Sequence, residues 1–148
     1  MTEGTLDKIF EIWEVDSKID QTMIATASLK VAELQCKYQK WLSKERIRLS
    51  TLEQNFKVLY RHKYEFFTQG NTQESEKLGW KLPPRGCVLK ADAAMYLESD
   101  SDLNDFSHHI VKSKECVRAL EDILKVLAQR SFNIRNTIEF LKFQAGEM

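Results

Sequence analysis

Between Lys30 and Lys63 the chain carries nine bases (Lys30, Lys37, Lys40, Lys44, Arg46, Arg48, Lys57, Arg61 and Lys63) against Glu33, Glu45 and Glu53, a local charge of +6. Aromatic residues are mixed in: Tyr38, Trp41, Phe56, Tyr60, Tyr64, Phe66 and Phe67. Cations attract phosphates, and exposed rings stack on bases at about 1–3 kcal/mol each, and neither interaction reads base sequence. The combination suits single-stranded nucleic acid, whereas a basic helix without rings would read as a solvated face. Lys57, Tyr60, Arg61, Lys63 and Tyr64 are the first candidate DNA-binding group, with Lys44 and Arg48 as a second. On a straight helix Lys57 and Arg61 lie about 40° apart and share a face, while Arg61 and Lys63 diverge by about 200°. One strand therefore does not easily touch both unless the helix ends nearby or DNA runs in a groove between subunits. The stripe Lys37, Lys40, Lys44 and Arg48 points about half a turn away from Arg61 and suits a partner or another subunit's acidic segment.

Other chemistries find no footing. The sequence has no GxxxxGK phosphate loop, no GxGxxG and no GxSxG. His108 and His109 are adjacent and diverge by about 100° on a helix, so they cannot grip one metal as an i, i+4 pair would. His62 stands among bases and reads as solvated or DNA-facing. Cys36, Cys87 and Cys116 form no CxxC pair and leave an odd thiol, which argues against a disulfide scaffold or zinc site and fits a reducing cytoplasm. Cys36 and Cys116 have apolar neighbours and read as small buried hydrophobes. No carboxylate sits alone in an apolar setting that would raise its pKa for acid catalysis. The expectation is a protein with no enzymatic activity, no metal and no cofactor.

The elements that must position these groups are helical. Of 148 residues only seven are Gly or Pro, and five of them fall within 70–86 (GNTQESEKLGWKLPPRG). That polar stretch has no helical periodicity and reads as a connector. On either side the chain is rich in good helix formers, so the expected fold class is all-α: two long arms, a short amphipathic helix from Leu6 to Val15, and a joint from Asp16 to Asp20. The corresponding stretches are 1–69 as a DNA-binding arm, 70–90 as connector and 91–148 as an oligomerisation arm. In the second arm, steps of three and four residues pass through Leu103, Phe106, Ile110, Ser113, Val117, Leu120, Leu124, Leu127, Ser131, Ile134, Ile138 and Leu141, of which ten are apolar. Such a seam marks a coiled coil or helical bundle. Asp100, Ser101 and Asp102 are candidates to cap its start, and Gly146 closes it. The first arm follows the same spacing through Ile24, Ala27, Val31, Leu34, Tyr38 and Trp41, and after a stutter through Leu49, Leu52, Phe56 and Leu59. Trp41 and Phe56, being on the seam, should be core.

A narrow seam on a helix of about 40 residues, roughly 60 Å long, leaves apolar positions uncovered in a 17.3 kDa chain. Each Leu or Ile left wet would forfeit about 1.5–3 kcal/mol. The expectation is a homo-oligomer joined through Leu103, Phe106, Ile110, Val117, Leu120, Leu124, Leu127, Ile134, Ile138 and Leu141. The formal net charge of zero hides a strong segregation, since residues 91–105 come to −5 and residues 1–20 to −4. Those acids could pair with a neighbour's bases, which keeps open a purely structural or scaffolding coiled-coil protein as the alternative; a helical enzyme with an intersubunit site is a more distant one. No apolar run approaches the roughly 20 residues of a membrane span, and the acidic N-terminal stretch is unlike a signal peptide.

Four strings add a family likeness: Lys37-Tyr38-Gln39-Lys40-Trp41-Leu42, Leu59 to Phe67 (LYRHKYEFF), Val88-Leu89-Lys90-Ala91-Asp92, and Phe132-Asn133-Ile134 running to Phe143-Gln144-Ala145-Gly146. Their order and spacing resemble the UvsY family of recombination mediators from T-even-type phages. The resemblance implies a helical, ring-forming accessory protein; the heptads allow two, six or seven chains, and a hexamer or heptamer is the expectation. Such a protein binds single-stranded DNA, contacts the phage single-strand-binding protein and helps a RecA-like phage recombinase replace it, in the cytoplasm of the infected bacterial host. The family's DNA-binding motif has Lys, one residue and Arg, then an acid and two aromatics. Arg61 and Lys63 stand in those places in exchanged order, followed by Glu65 and Phe66-Phe67. The connector, with Trp80 and Pro83-Pro84, departs from the family pattern.

Overall fold

The computed structural model describes residues 2–19 and 24–146, which form five helices: α1 (Thr2–Asp16), α2 (Ile24–Gln69), α3 (Gln73–Lys77), α4 (Ala93–Glu98) and α5 (Ser101–Gln144). Among the described residues there is no strand, and no helix is long and apolar enough to cross a membrane. The all-α class expected from composition and period is what forms. The short N-terminal helix is present and longer at both ends than Leu6 to Val15. Its end opens the expected joint, where Ser17 N–H donates to the Trp13 carbonyl at 2.7 Å; Asp20, and the side chain of Ile24, lie outside the described residues.

Helix ends follow local chemistry. Asp100 caps α5, its Oδ2 accepting the Leu103 N–H at 3.0 Å and satisfying one of the free donors of a first turn. Gly146 ends the same helix region with φ +77°, a conformation that favours glycine. The stretch 70–86 is more ordered than its lack of periodicity suggests. Thr72 and Ser75 form a reciprocal capping box that nucleates the five-residue α3, a helix too short to show a period.

The chain divides into two compact units, Met1–Arg48 with Lys112–Met148, and Leu49–Val111. These boundaries fall elsewhere than those of the three sequence stretches, because α2 and α5 each contribute to both units. In the first unit Ile9, Leu34, Tyr38, Leu42, Cys116, Leu120, Ile123 and Leu127 form the buried core, with Trp41, Val117 and Leu124 packed against it. The fully buried Tyr38 ring meets Trp13 edge-on and stacks on Trp41. Its hydroxyl donates to Asp16 Oδ2 at 2.8 Å, and the same oxygen accepts from Lys37 Nζ at 2.7 Å. Arg130 donates from Nη2 to the Ser17 carbonyl at 2.7 Å, serving a carbonyl that the end of α1 leaves free.

In the second unit Phe66, Phe67, Leu97 and Leu103 are buried, with Phe56, Leu59, Tyr64, Trp80, Leu82, Val88 and Tyr96 around them. Rings dominate: Phe66 touches Phe67 and Trp80, Phe67 touches Tyr96, and Phe56 touches Phe106. Trp41 and Phe56 are thus core-facing, as their seam positions require. Backbone contact also ties the former connector down, since Val88 N–H donates to the Phe67 carbonyl at 2.7 Å.

The α5 seam is covered largely by its own chain. Leu103, Leu120, Leu127 and Ile134 are buried, and Phe106, Ile110, Val117 and Leu124 half-buried. Exposure begins further on, at Ile138 and Leu141, joined by Phe132, Phe140 and Phe143. Cover for the seam comes from α1, α2 and the 70–98 segment of the same chain, which leaves the apolar positions still uncovered mainly at the far end of α5.

Candidate nucleic-acid interface

The basic positions of α2 separate into exposed and internal groups once burial is known. Lys57 and Arg61 stand on solvent-exposed helix surface one turn apart, and Tyr60 between them is 43% exposed. Lys57 pairs with no acid among the described residues. Arg61 approaches only Glu65, at 3.9 Å, through a pair in which both side chains are at least half exposed. An exposed pair of that kind contributes about 0–1 kcal/mol and yields readily to a competing anion. In the first unit Lys44 is exposed and without an acidic partner, and Arg48 lies 4.0 Å from Glu45.

Lys63 behaves differently, and its expected role on DNA is corrected. The residue is 3% exposed. Its ammonium donates to Asp102 Oδ2 at 2.8 Å and Asp100 Oδ1 at 3.2 Å, and sits 4.1 Å from the centre of the Trp80 ring. A lysine so enclosed is neutralised by its own chain, and baring it would strand two carboxylates. The 200° divergence between Arg61 and Lys63 thus has a simple outcome: one points out and the other in, and α2 continues past both to Gln69. Tyr64, also a candidate, is half-buried against the aromatic core. The rings of Tyr38, Phe66 and Phe67 are core and offer nothing to a base.

A signal for Lys63 was present in the sequence. From Phe56 and Leu59 the three-four spacing runs to Lys63 and Phe66, so Lys63 is an inward position with a polar residue on it. Its aspartates were legible only as caps, because a link across 37 or 39 residues has no local signature. Glu45 is a second such case. It fills the stutter between Trp41 and Leu49, is 7% exposed, and together with burial helps push the Cys116 thiol up.

Two of the other bases are also engaged internally: Lys37 with Asp16, and Arg46 with Glu121 at 2.9 Å. Burial pushes the Asp16 carboxyl up, but the hydrogen bonds from Lys37 and Tyr38 outweigh it and hold the group below its usual range. Burial, then the bond to Asp16, pushes the Tyr38 hydroxyl well above the ordinary tyrosine value. Among the described residues no three His, Cys, Asp or Glu side chains gather in a way that could hold a metal ion. What this surface can do is attract phosphates and offer a ring beside them.

Residues 12–147 match a family described as UvsY, recombination, repair and ssDNA binding protein. In fold the chain is similar to a crystal structure of the bacteriophage T4 recombination mediator protein UvsY, with a TM-score of 0.80 at 16% sequence identity, covering 95% of this chain and 97% of the other. No curated protein matches the chain.

Proposed function

We infer the role of this chain from its family: it belongs to the UvsY family of recombination, repair and ssDNA binding proteins. On that premise it is a non-enzymatic recombination mediator. It binds single-stranded DNA through Lys57, Tyr60 and Arg61, with Lys44 and Arg48 as additional phosphate contacts. The observation that carries this reading is the exposed Lys57–Arg61 step with a half-exposed tyrosine beside it, on a helix whose other bases are partly consumed by internal pairs. Copies of the chain assemble through the exposed apolar end of α5, where Ile138 and Leu141 continue the seam, into a hexamer or heptamer. Several weak sites on one particle raise the effective concentration for each further contact, so avidity exceeds single-site affinity by about 10² to 10⁴. DNA held in this way is handed to a RecA-like recombinase in place of the single-strand-binding protein, in the cytoplasm of an infected bacterium.

Binding of a fluorescent oligonucleotide across a salt series tests the reading. The slope of log K against log salt should be about −0.7 per phosphate neutralised. Lys57→Ala with Arg61→Ala should flatten it while native mass stays that of the wild-type particle; an unchanged slope rejects the site. Ile138→Asp with Leu141→Asp should reduce the particle to single chains. Loading is read separately, as faster recombinase assembly on DNA already covered by single-strand-binding protein.

A second reading, a scaffolding protein without DNA binding, is favoured by one observation: Lys37, Arg46 and Lys63 are spent on acids of their own chain. Absence of oligonucleotide binding at moderate salt would select it.

A further inference from the structure

Where the Lys57–Arg61 stripe runs out along α2, the second unit carries a polar cavity of about 200 Å³. Its walls include His62, Glu65, Phe66 and Gln69 from α2, Glu74 from α3 and Trp80. Drug-sized pockets begin at about 300 Å³, so this one has room for a single ring system and not for a sugar and phosphate besides. The wall chemistry points the same way. Two carboxylates repel a phosphate and accept N–H donors; Gln69 both donates and accepts; the partly exposed Trp80 supplies apolar ring surface. The Trp80 ring is held in place, with Lys63 Nζ 4.1 Å from its centre and Phe66 against it at 67°. A ring fixed beforehand gives up little freedom when another ring lies against it.

The cavity continues the phosphate track. Lys57, Arg61, Glu65 and Gln69 follow one another at four-residue steps, each about 6 Å further along α2 and about 40° further round it, so the row winds from the phosphate step to the cavity. A backbone that takes Lys57 and Arg61 with its phosphates has its next nucleotides beside Glu65 and Gln69. Arg61 and Glu65, 3.9 Å apart, are linked in this: when Arg61 turns to a phosphate, the Glu65 carboxylate loses its partner and becomes a free acceptor at the cavity.

We propose that this cavity holds one unstacked base of the bound strand and favours bases with an exocyclic amino group, cytosine, adenine and guanine, over thymine, which has none. The proposal rests on the single-stranded DNA reading above and adds to it a local preference in otherwise sequence-independent binding.

Anisotropy titration of the full chain at one salt concentration and pH 8, with labelled oligo(dC), oligo(dT) and a fully abasic strand of equal length, separates the two. Wild type should bind oligo(dC) about three- to tenfold tighter than oligo(dT), and the abasic strand most weakly. Gln69→Ala and Glu74→Gln, both changes on exposed side chains, should bring the dC to dT ratio to about one. A wild-type ratio near one, or a ratio that neither substitution moves, overturns the base pocket while leaving the phosphate track intact. If wild type binds none of the three strands, the DNA reading itself fails and the pocket with it.

Discussion

Tyr38 and Lys63 occupy equivalent inward positions on one helix, seven seam steps apart, and each is almost fully removed from water. Around Tyr38 the first unit closes with the Trp13 and Trp41 rings, with aliphatic side chains from α1, α2 and α5, and with a hydroxyl bond to Asp16. Around Lys63 the second unit closes with two aspartates, an indole and a cluster of rings drawn mainly from α2, with Tyr96 from α4. Helices with a regular apolar period can cover one another by period alone. Short helices and turns have no such stripe, so the second unit relies on directional contacts that fix particular residues: a capping box and a buried ion triad beneath an indole. The Lys57–Arg61 step and the cavity of about 200 Å³ both belong to this directional unit, while Lys44 and Arg48 belong to the first.

Truncation in the aliphatic core should give the largest effect. Leu120→Ala empties a fully buried position and should cost about 4 kcal/mol in urea unfolding. Lys63→Ala should cost somewhat less, about 3 kcal/mol, since it strands Asp100 at 10% side-chain exposure but leaves the half-exposed Asp102 with access to water. It should also leave the salt slope of DNA binding where it was. A slope reduced by about 0.7 with stability intact would place Lys63 on the strand and erase the contrast between the units. The smallest effect belongs to the polar link beside Tyr38. Asp16→Asn should cost about 1–2 kcal/mol near neutral pH. Because the folded-state pKa of Asp16 lies below its unfolded value of about 3.9, that stability is present above about pH 4 and is lost as pH falls further. Urea titrations between pH 3 and 7 should therefore show wild type and Asp16→Asn converging toward the acid end; parallel curves would show that the pair is not the source of the difference.

Much of this molecule is legible before folding is considered. Asp100 as a cap, Gly146 as a stop, Trp41 and Phe56 as core positions and the near absence of Gly and Pro from the two arms are local properties, fixed by what one turn of helix needs or excludes. The helix α3 escaped notice because one turn cannot display a period, although its Thr72 and Ser75 carried the capping signal. How much of the α5 seam is covered within one chain was not legible, because cover for Leu120 and Leu127 comes from Ile9, Leu34 and Leu42, residues roughly a hundred positions away and silent in any local window.

The amino-acid order alone therefore determines that the chain is helical, where its long helices start and stop, and which side of each is apolar. It also places a dense set of bases and rings on α2. Which of those bases meets solvent was settled only when distant segments came together. Arg61 remains outside because no acid but its own neighbour on α2 reaches it, while Lys63, two residues on, is enclosed by aspartates from the start of α5 and the Trp80 indole that follows α3. Charge is written in the sequence, but its availability depends on desolvation and pairing, and both are properties of the packed chain.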